Sequence, residues 1–274
     1  LYMPELPEVE TVRVFLKKNI VQKKTLSVKI INRNLRFKVS KEIPLKLRNE
    51  IITKIIRRGK YLIFFYSNDY AVLIHLGMTG YFRTETSYVK KKHDHILFIL
   101  YDTNLVFNDI RKFGFIRIYK IEEVFCSSHL KRLGPEPLSK DFSTEYFTQH
   151  LKRKTNIKNL LMNQSFISGL GNIYCSEILF DSRINPSRLT QTISKHELGR
   201  LVNSIKQILN SAIKLGGTTI KNFIVSDEKI GYFRNKLTVY GRENLPCVRC
   251  GEKSKIAKFV QSGRSTFYCS RCQK

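Results

Sequence analysis

A chain of 274 residues with 42% hydrophobic content can bury a sizeable core, which excludes wholesale disorder and leaves room for two domains, or one domain and a small module. Its 49 Lys and Arg against 22 Asp and Glu leave a formal charge of +27, a surplus that favours a polyanion partner held by salt-sensitive phosphate contacts; coding drift toward Lys, Ile and Asn is the alternative source. No apolar run approaches the roughly 18 residues that span a bilayer, and an acidic N-terminus without a basic-then-apolar leader argues against export.

From Glu8 onward, Val9, Val12, Phe15, Leu16 and Ile20 fall near helical spacing, with Lys17 and Lys18 close to the end, and predict an N-terminal helix. Short β-branched or aromatic runs follow at residues 26–31, 51–56, 61–66, 70–75, 95–101, 105–109 and 115–119, separated by turn formers such as Ser67-Asn68-Asp69. Their close spacing without intervening helices predicts an antiparallel sandwich or barrel. Gly134-Pro135-Glu136-Pro137 breaks the pattern and marks a boundary. Beyond it the period is helical, with short helices expected over 143–151, 157–162 and 172–180. The strongest helix opens with Ser194 as N-cap and Glu197 three residues on, runs through Leu198, Leu201, Val202, Ile205, Ile208, Leu209, Ala212 and Ile213, and stops at Gly216-Gly217.

Four of the six cysteines lie in the last 28 residues. Cys247-Pro-Val-Arg-Cys250 and Cys269-Ser-Arg-Cys272 are two knuckles with 18 residues between them, the spacing of a four-cysteine Zn2+ site in a reduced protein. Four thiolates close the coordination sphere, so the ion is structural and holds a hairpin whose Lys255, Lys258 and Arg264 can face phosphate. Cys126 and Cys175 stand alone and read as small core thiols by default. His93-Asp94-His95, read as a strand, puts both imidazoles on one face, but no further ligand is visible nearby and a structural or phosphate-facing role is preferred to a metal.

Met3-Pro-Glu-Leu-Pro-Glu-Val-Glu10 resembles the start of formamidopyrimidine-DNA glycosylases, and the likeness runs nearly end to end. It passes through Arg58-Gly-Lys60-Tyr-Leu, His75-Leu-Gly-Met-Thr-Gly80, Asp109-Ile-Arg-Lys-Phe-Gly114 and Leu133-Gly-Pro-Glu-Pro-Leu138. It continues in Gly169-Leu-Gly-Asn-Ile-Tyr174, Gly216-Gly-Thr-Thr219, Gly231-Tyr-Phe233 and Val239-Tyr-Gly-Arg242, and closes with the cysteine knuckles. The resemblance implies an α+β protein: an N-terminal β-sandwich with an N-terminal helix (3–132), a helix–two-turn–helix domain (133–235) and a zinc-finger β-hairpin (236–274), with DNA in the cleft between the halves.

It also implies roles. Pro4 is the amine nucleophile, Glu5 the general acid/base, and Glu8 a support for both. Lys60, His75, Asn172 and Arg264 clamp phosphates around the flipped nucleotide, with Lys158 a further DNA-binding candidate. Met78, Arg111 and Phe113 fill the gap left by the extruded base, although Met78 and Phe113 read without the family as core residues. Residues 218–232 resemble the loop that caps oxidised guanine, and the ending Ser226-Asp-Glu-Lys-Ile-Gly-Tyr-Phe233 favours oxidised purines over the pyrimidines preferred by endonuclease VIII relatives. The implied partner is double-stranded DNA with oxidised bases or abasic sites, bound by a monomer in the bacterial cytoplasm at the nucleoid, with no membrane. Leu1-Tyr2-Met3 precedes Pro4; translation from Met3 and its removal are expected to free the proline amine. Otherwise Pro4 is a helix-start proline and the chain a non-catalytic zinc-finger DNA binder.

Overall fold

Helix α1 (Leu6–Ile20) starts two residues before the apolar periodicity does, because its first turn supplies its own caps. Glu5 is the N-cap, its amide donates to the Glu8 carboxylate at 3.0 Å, and the two residues form a capping box. Pro7 sits in the first turn, where a missing N–H costs nothing. Leu6, Val9, Val12, Leu16 and Ile20 make the buried face, and Lys17 and Lys18 end the helix where cations are favourable.

The computed structural model describes residues 3–152, 154–218 and 232–274; the expected lesion-capping loop falls, at residues 219–231, outside the described residues. Two units emerge, one within Leu1–Lys131 and one made of Arg132–Thr218 and Tyr232–Lys274.

In the first unit the strands are β1 (Thr25–Ile30), β2 (Ile52–Arg58), β3 (Tyr61–Tyr66), β4 (Tyr70–His75), β5 (Gly80–Glu85), β6 (Asp94–Leu100), β7 (Asn104–Asp109) and β8 (Phe115–Lys120), with short helices α2 (Glu42–Leu47) and α3 (Ile121–Val124). They form two antiparallel four-stranded sheets, ordered β1-β6-β7-β5 and β2-β3-β4-β8, so β2 and β8 are the edges of the second. One core joins both sheets and α1: Val12, Leu16, Leu62, Phe64, Phe82, Phe98 and Phe107 all belong to it, and the Phe64 and Phe82 rings meet across it at 5.8 Å. This is the expected sandwich.

Three elements escape the sequence pattern. Strand β5 points Phe82 into the core and Arg83 to the opposite face, yet Arg83 is only 4% exposed. Asp94 accepts from both of its terminal nitrogens, at 2.6 and 2.8 Å, and Glu85 is a second partner. Burial opposes ionisation of Asp94, but the bonds from Arg83, Asn108 and the Lys91 amide bring its carboxyl down to about 2. Helices α2 and α3 are too short for periodicity to register, and neither has a side-chain cap bond.

The second unit contains α4 (Thr144–Gln149), α5 (Ile157–Met162), α6 (Asn172–Asp181) and α7 (Lys195–Lys214), then β9 (Pro246–Cys247), β10 (Gly251–Lys255), β11 (Ala257–Gln261) and β12 (Arg264–Tyr268). Helix α7 matches its sequence signals: a Ser194/Glu197 capping box opens it, and Gly216 and Gly217 at φ 72° and 79° follow it. Its buried stripe packs with Phe142, Phe166, Tyr174 and Ile178. The cysteine-bearing segment packs on Phe180 of α6 through Val239, Ile256 and Phe267. Buried Glu177 of α6 ties it down further, accepting the amides of Thr238, Val239 and Tyr240 at 2.8 to 3.0 Å. Among the described residues, no helix is long and apolar enough to cross a membrane.

Candidate active site and zinc centre

Pro4 immediately precedes the N-cap of α1 and is half-buried, outside the helix itself. Glu5 beside it is 3% exposed, and Glu8 is equally buried one turn on. The aligned peptide dipoles of α1 place a partial positive charge at this end of the helix, next to the Pro4 nitrogen. Lys60 lies in the turn between β2 and β3 at 7% exposure, after Gly59 at φ 56°. Arg57 of β2 donates to Glu10 of α1 at 3.0 Å and to the Gly59 carbonyl at 3.0 Å. One guanidinium therefore fixes the turn carrying Lys60 against the helix that follows Pro4 and Glu5.

His75 ends β4. Its Nδ1 accepts the Gly77 amide at 3.0 Å, and its ring stacks on Phe115 at 5.7 Å beside Tyr61. Burial pushes its pKa down to about 4, helped by the positive fields of Lys60 and Arg36 and by His129. With Nδ1 occupied as acceptor, the neutral ring carries its proton on Nε2, a donor suited to an anion. The unfolded chain protonates near 6.5, so folding should be undiminished above that pH, weaken as pH falls through the interval and level off below about 4. Denaturant titrations from pH 8 to 4 should show His75→Gln losing less stability over this range than the parent. Parallel curves would refute the buried neutral ring.

Met78 lies on the turn between β4 and β5, half-buried; Arg111 and Phe113 lie on the loop between β7 and β8. Phe113 is 43% exposed, and the Arg111 guanidinium sits 4.8 Å from its ring centre. Neither Met78 nor Phe113 is among the core residues, so the structure gives no support to their reading as core.

Within the second unit, three further sequence candidates converge on the start of β12. Ser262 and Gly263, both at positive φ, make a two-residue turn of the kind a right-twisted hairpin prefers, and exposed Arg264 follows it. Asn172, the first residue of α6, donates to the Ser265 carbonyl at 2.8 Å and faces the Tyr240 hydroxyl at 3.4 Å. Lys158 is 1% exposed and its ammonium donates to Thr266 Oγ1 at 2.6 Å. A cation so deeply enclosed holds the hairpin, and its burial does not present it for the phosphate contact expected of it. Lys258 pairs with Glu243 at 2.9 Å.

The four cysteine sulfurs lie within 4.8 Å of one another, with Cys247–Cys272 and Cys250–Cys269 both at 3.9 Å. That is far beyond a disulfide bond and close to the edge of about 3.8 Å that a zinc–thiolate tetrahedron requires. Burial raises the Cys269 thiol, but Ser254 and the amides of Cys272 and Arg271 outweigh it and bring it down to about 6, so a thiolate is ready for a metal. The donor set fits a structural Zn2+, and among the described residues no other cluster of metal-binding groups occurs.

The histidine pair departs from its sequence reading. His93 sits at φ 70° before β6 begins at Asp94, so the two rings do not alternate along one strand face, and His95 Nε2 is bonded to the Asp109 carbonyl at 2.8 Å. Cys175 is buried as expected, whereas Cys126 is exposed. Sequence patterns assign no role to Glu177 or to the Thr79 hydroxyl, and Asp109 figures in them only as part of a motif. An acidic residue in the middle of a largely apolar helix, as Glu177 is in α6, is the available signal.

Known proteins share this arrangement. Residues 3–116 match the family model described as Formamidopyrimidine-DNA glycosylase N-terminal domain, 133–224 its H2TH domain, and 244–274 the zinc finger found in FPG and IleRS. A formamidopyrimidine-DNA glycosylase from Rickettsia felis is 45% identical over 275 residues, covering 99% of this chain and 98% of the relative. Lactococcus lactis Fpg in complex with an abasic-site DNA is similar at 37% identity and a TM-score of 0.91, covering 98% of this chain and 99% of that one. MutM in complex with carbocyclic 8-oxo-G DNA is similar at 38% identity and a TM-score of 0.90, covering 99% and 100%. Sandwich, helical region, zinc finger and full-length identity together show that this chain belongs to the formamidopyrimidine-DNA glycosylase family.

Proposed function

We propose that the protein excises oxidised purines, 8-oxoguanine and formamidopyrimidines, from double-stranded DNA through a covalent adduct on Pro4, and then cuts the strand. The observation that carries this reading is the Pro4–Glu5 pair at the start of α1, an amine position beside a buried carboxyl group. The partial positive charge of the helix start disfavours an ammonium, leaving more free amine near neutral pH. The amine attacks C1′ as the bond to the base breaks, and Glu5 protonates O4′ so that the sugar opens to an iminium. The iminium acidifies C2′; loss of that proton expels the 3′ phosphate, and a second elimination expels the 5′ phosphate. This chemistry requires Pro4 to be the first residue of the acting protein, which N-terminal sequencing of protein made from the native gene tests directly.

Residues 3–132 carry the chemistry in this reading, with 133–235 and 236–274 as DNA-binding segments. Lys60, Asn172 and Arg264 bind phosphates as donors, joined by His75 through Nε2–H, and Met78, Arg111 and Phe113 occupy the space of the extruded base. The substrate carries over from the similar complexes, whose DNA contains an abasic site or 8-oxoguanine. The enzyme acts as a monomer in the bacterial cytoplasm. On matched duplexes, 8-oxoguanine opposite cytosine should be cleaved faster than thymine glycol, and borohydride should trap a covalent adduct on the first. Equal or faster thymine glycol cleavage would move the specificity to oxidised pyrimidines; no adduct at all would leave a non-catalytic DNA binder.

A further inference from the structure

We propose that Asp109, acting with Thr79, is the positioning residue of the base-displacing wedge: it fixes the turn bearing Met78 to the loop bearing Arg111 and Phe113. The inference rests on reading those three side chains as the wedge. Asp109 is fully buried, and its two carboxylate oxygens divide their work between the loops. Oδ1 accepts the Thr79 hydroxyl from one loop and the Arg111 amide, at 3.2 Å, from the other. Oδ2 accepts the Gly114 amide at 2.8 Å. The Thr79 oxygen itself accepts the Arg111 amide at 3.0 Å, closing a ring of bonds between the turns.

The backbones interlock beneath this ring. A Cβ at Gly77, which sits at φ 65°, would lie 2.4 Å from the Gly114 nitrogen and 2.5 Å from the Phe113 carbonyl carbon. Neither loop can slide without the other. Above the ring the loop between β7 and β8 is exposed: Ile110 is 48% and Phe113 43% accessible, and Arg111 and Lys112 face solvent, with Met78 half-buried beside them. A carboxylate enclosed by neutral donors is an expensive way to fill a core. Here it lies directly under a protruding tip that has little apolar packing of its own, and every bond it accepts comes from that tip or from the turn of Met78. A wedge ordered before it meets DNA has less conformational freedom to lose on insertion.

Two substrates separate positioning from folding. Extruding 8-oxoguanine from a cytosine pair demands the wedge, whereas a preformed abasic site has no damaged base to unpair. Thr79→Val and Asp109→Asn should slow excision of paired 8-oxoguanine on the order of tenfold, with strand cleavage at the abasic site changed less than about threefold. Thr79→Ser, which keeps the hydroxyl, should restore the paired-lesion rate. Met78→Ala and Phe113→Ala serve as references. If they leave the paired-lesion rate intact, the wedge reading itself fails. If they slow it while Thr79→Val and Asp109→Asn do not, or if the latter slow both substrates equally, the positioning role is overturned. Should Asp109→Asn not fold, the Thr79→Val and Thr79→Ser pair gives the decision.

Discussion

Glu5→Gln is expected to lower 8-oxoguanine excision by about a hundredfold to ten-thousandfold, the range a positioned general acid supplies, while leaving the fold intact. The amide keeps the size of the carboxyl group and an acceptor oxygen for the first-turn amides of α1, so the capping box with Glu8 has a replacement partner. A weakened N-cap costs about 1 kcal/mol, which appears as a few degrees in Tm. What the amide lacks is a transferable proton, so sugar opening stalls. Pro4→Gly makes a complementary loss, because a primary amine remains but the ring that fixes its direction is gone. Both variants should bind abasic-site duplex within a few-fold of the parent and give little borohydride-trapped product from 8-oxoguanine DNA. Parent-like nicking by both would overturn the proline–glutamate mechanism.

Loss of the metal should be the most damaging change to the second unit. Structural zinc contributes on the order of 10 kcal/mol or more to folding of the segment that binds it, and this segment is small. Without the ion, β9 to β12 retain only the cluster around Phe180, Val239, Ile256 and Phe267 and the amide bonds to Glu177. Strand β12 also anchors Lys158 and Asn172, through Thr266 and Ser265, so its disorder would remove one bond from each of two α-helical residues. Cys269→Ser, or chelation of the parent, should reduce duplex affinity by about a hundredfold or more, the equivalent of nearly 3 kcal/mol. Filter-binding or fluorescence titration with parallel zinc quantification checks this. A zinc-free protein that binds DNA as tightly as the parent would contradict it.

The parts of the fold legible in the sequence are those set by local, repeated signals. Helix α7 has a capping box, an apolar stripe and a glycine stop, and its limits agree within a residue or two. Strand β3 is an uninterrupted run of large apolar residues and β4 is apolar from Ala71 to Ile74, and the limits of both match the reading. The cysteine knuckles fix one another by spacing alone. Strand β5 is hidden because its buried charge, Arg83, finds its counter-ion eleven residues away on β6, a pairing that no window of one strand contains. The site divides the same way. Pro4, Glu5, Lys60 and the wedge side chains stand in motifs that the family resemblance names. The tautomer of His75, the enclosure of Lys158 and the ring of bonds around Asp109 depend on distant backbone amides and hydroxyls, whose positions carry no residue-type signature.

The edges of the second sheet give the surplus charge another consequence. Strand β2 exposes Lys54, with Arg57 and Arg58 partly accessible, and β8 exposes Arg117 and Lys120 beside half-covered Ile118 and Tyr119. Strand edges with apolar neighbours can invite a second molecule to add its own sheet, and like charges along them, such as Lys54, Arg117 and Lys120, oppose it. Self-association along these edges should therefore begin under crowding in concentrated salt, where that repulsion is screened.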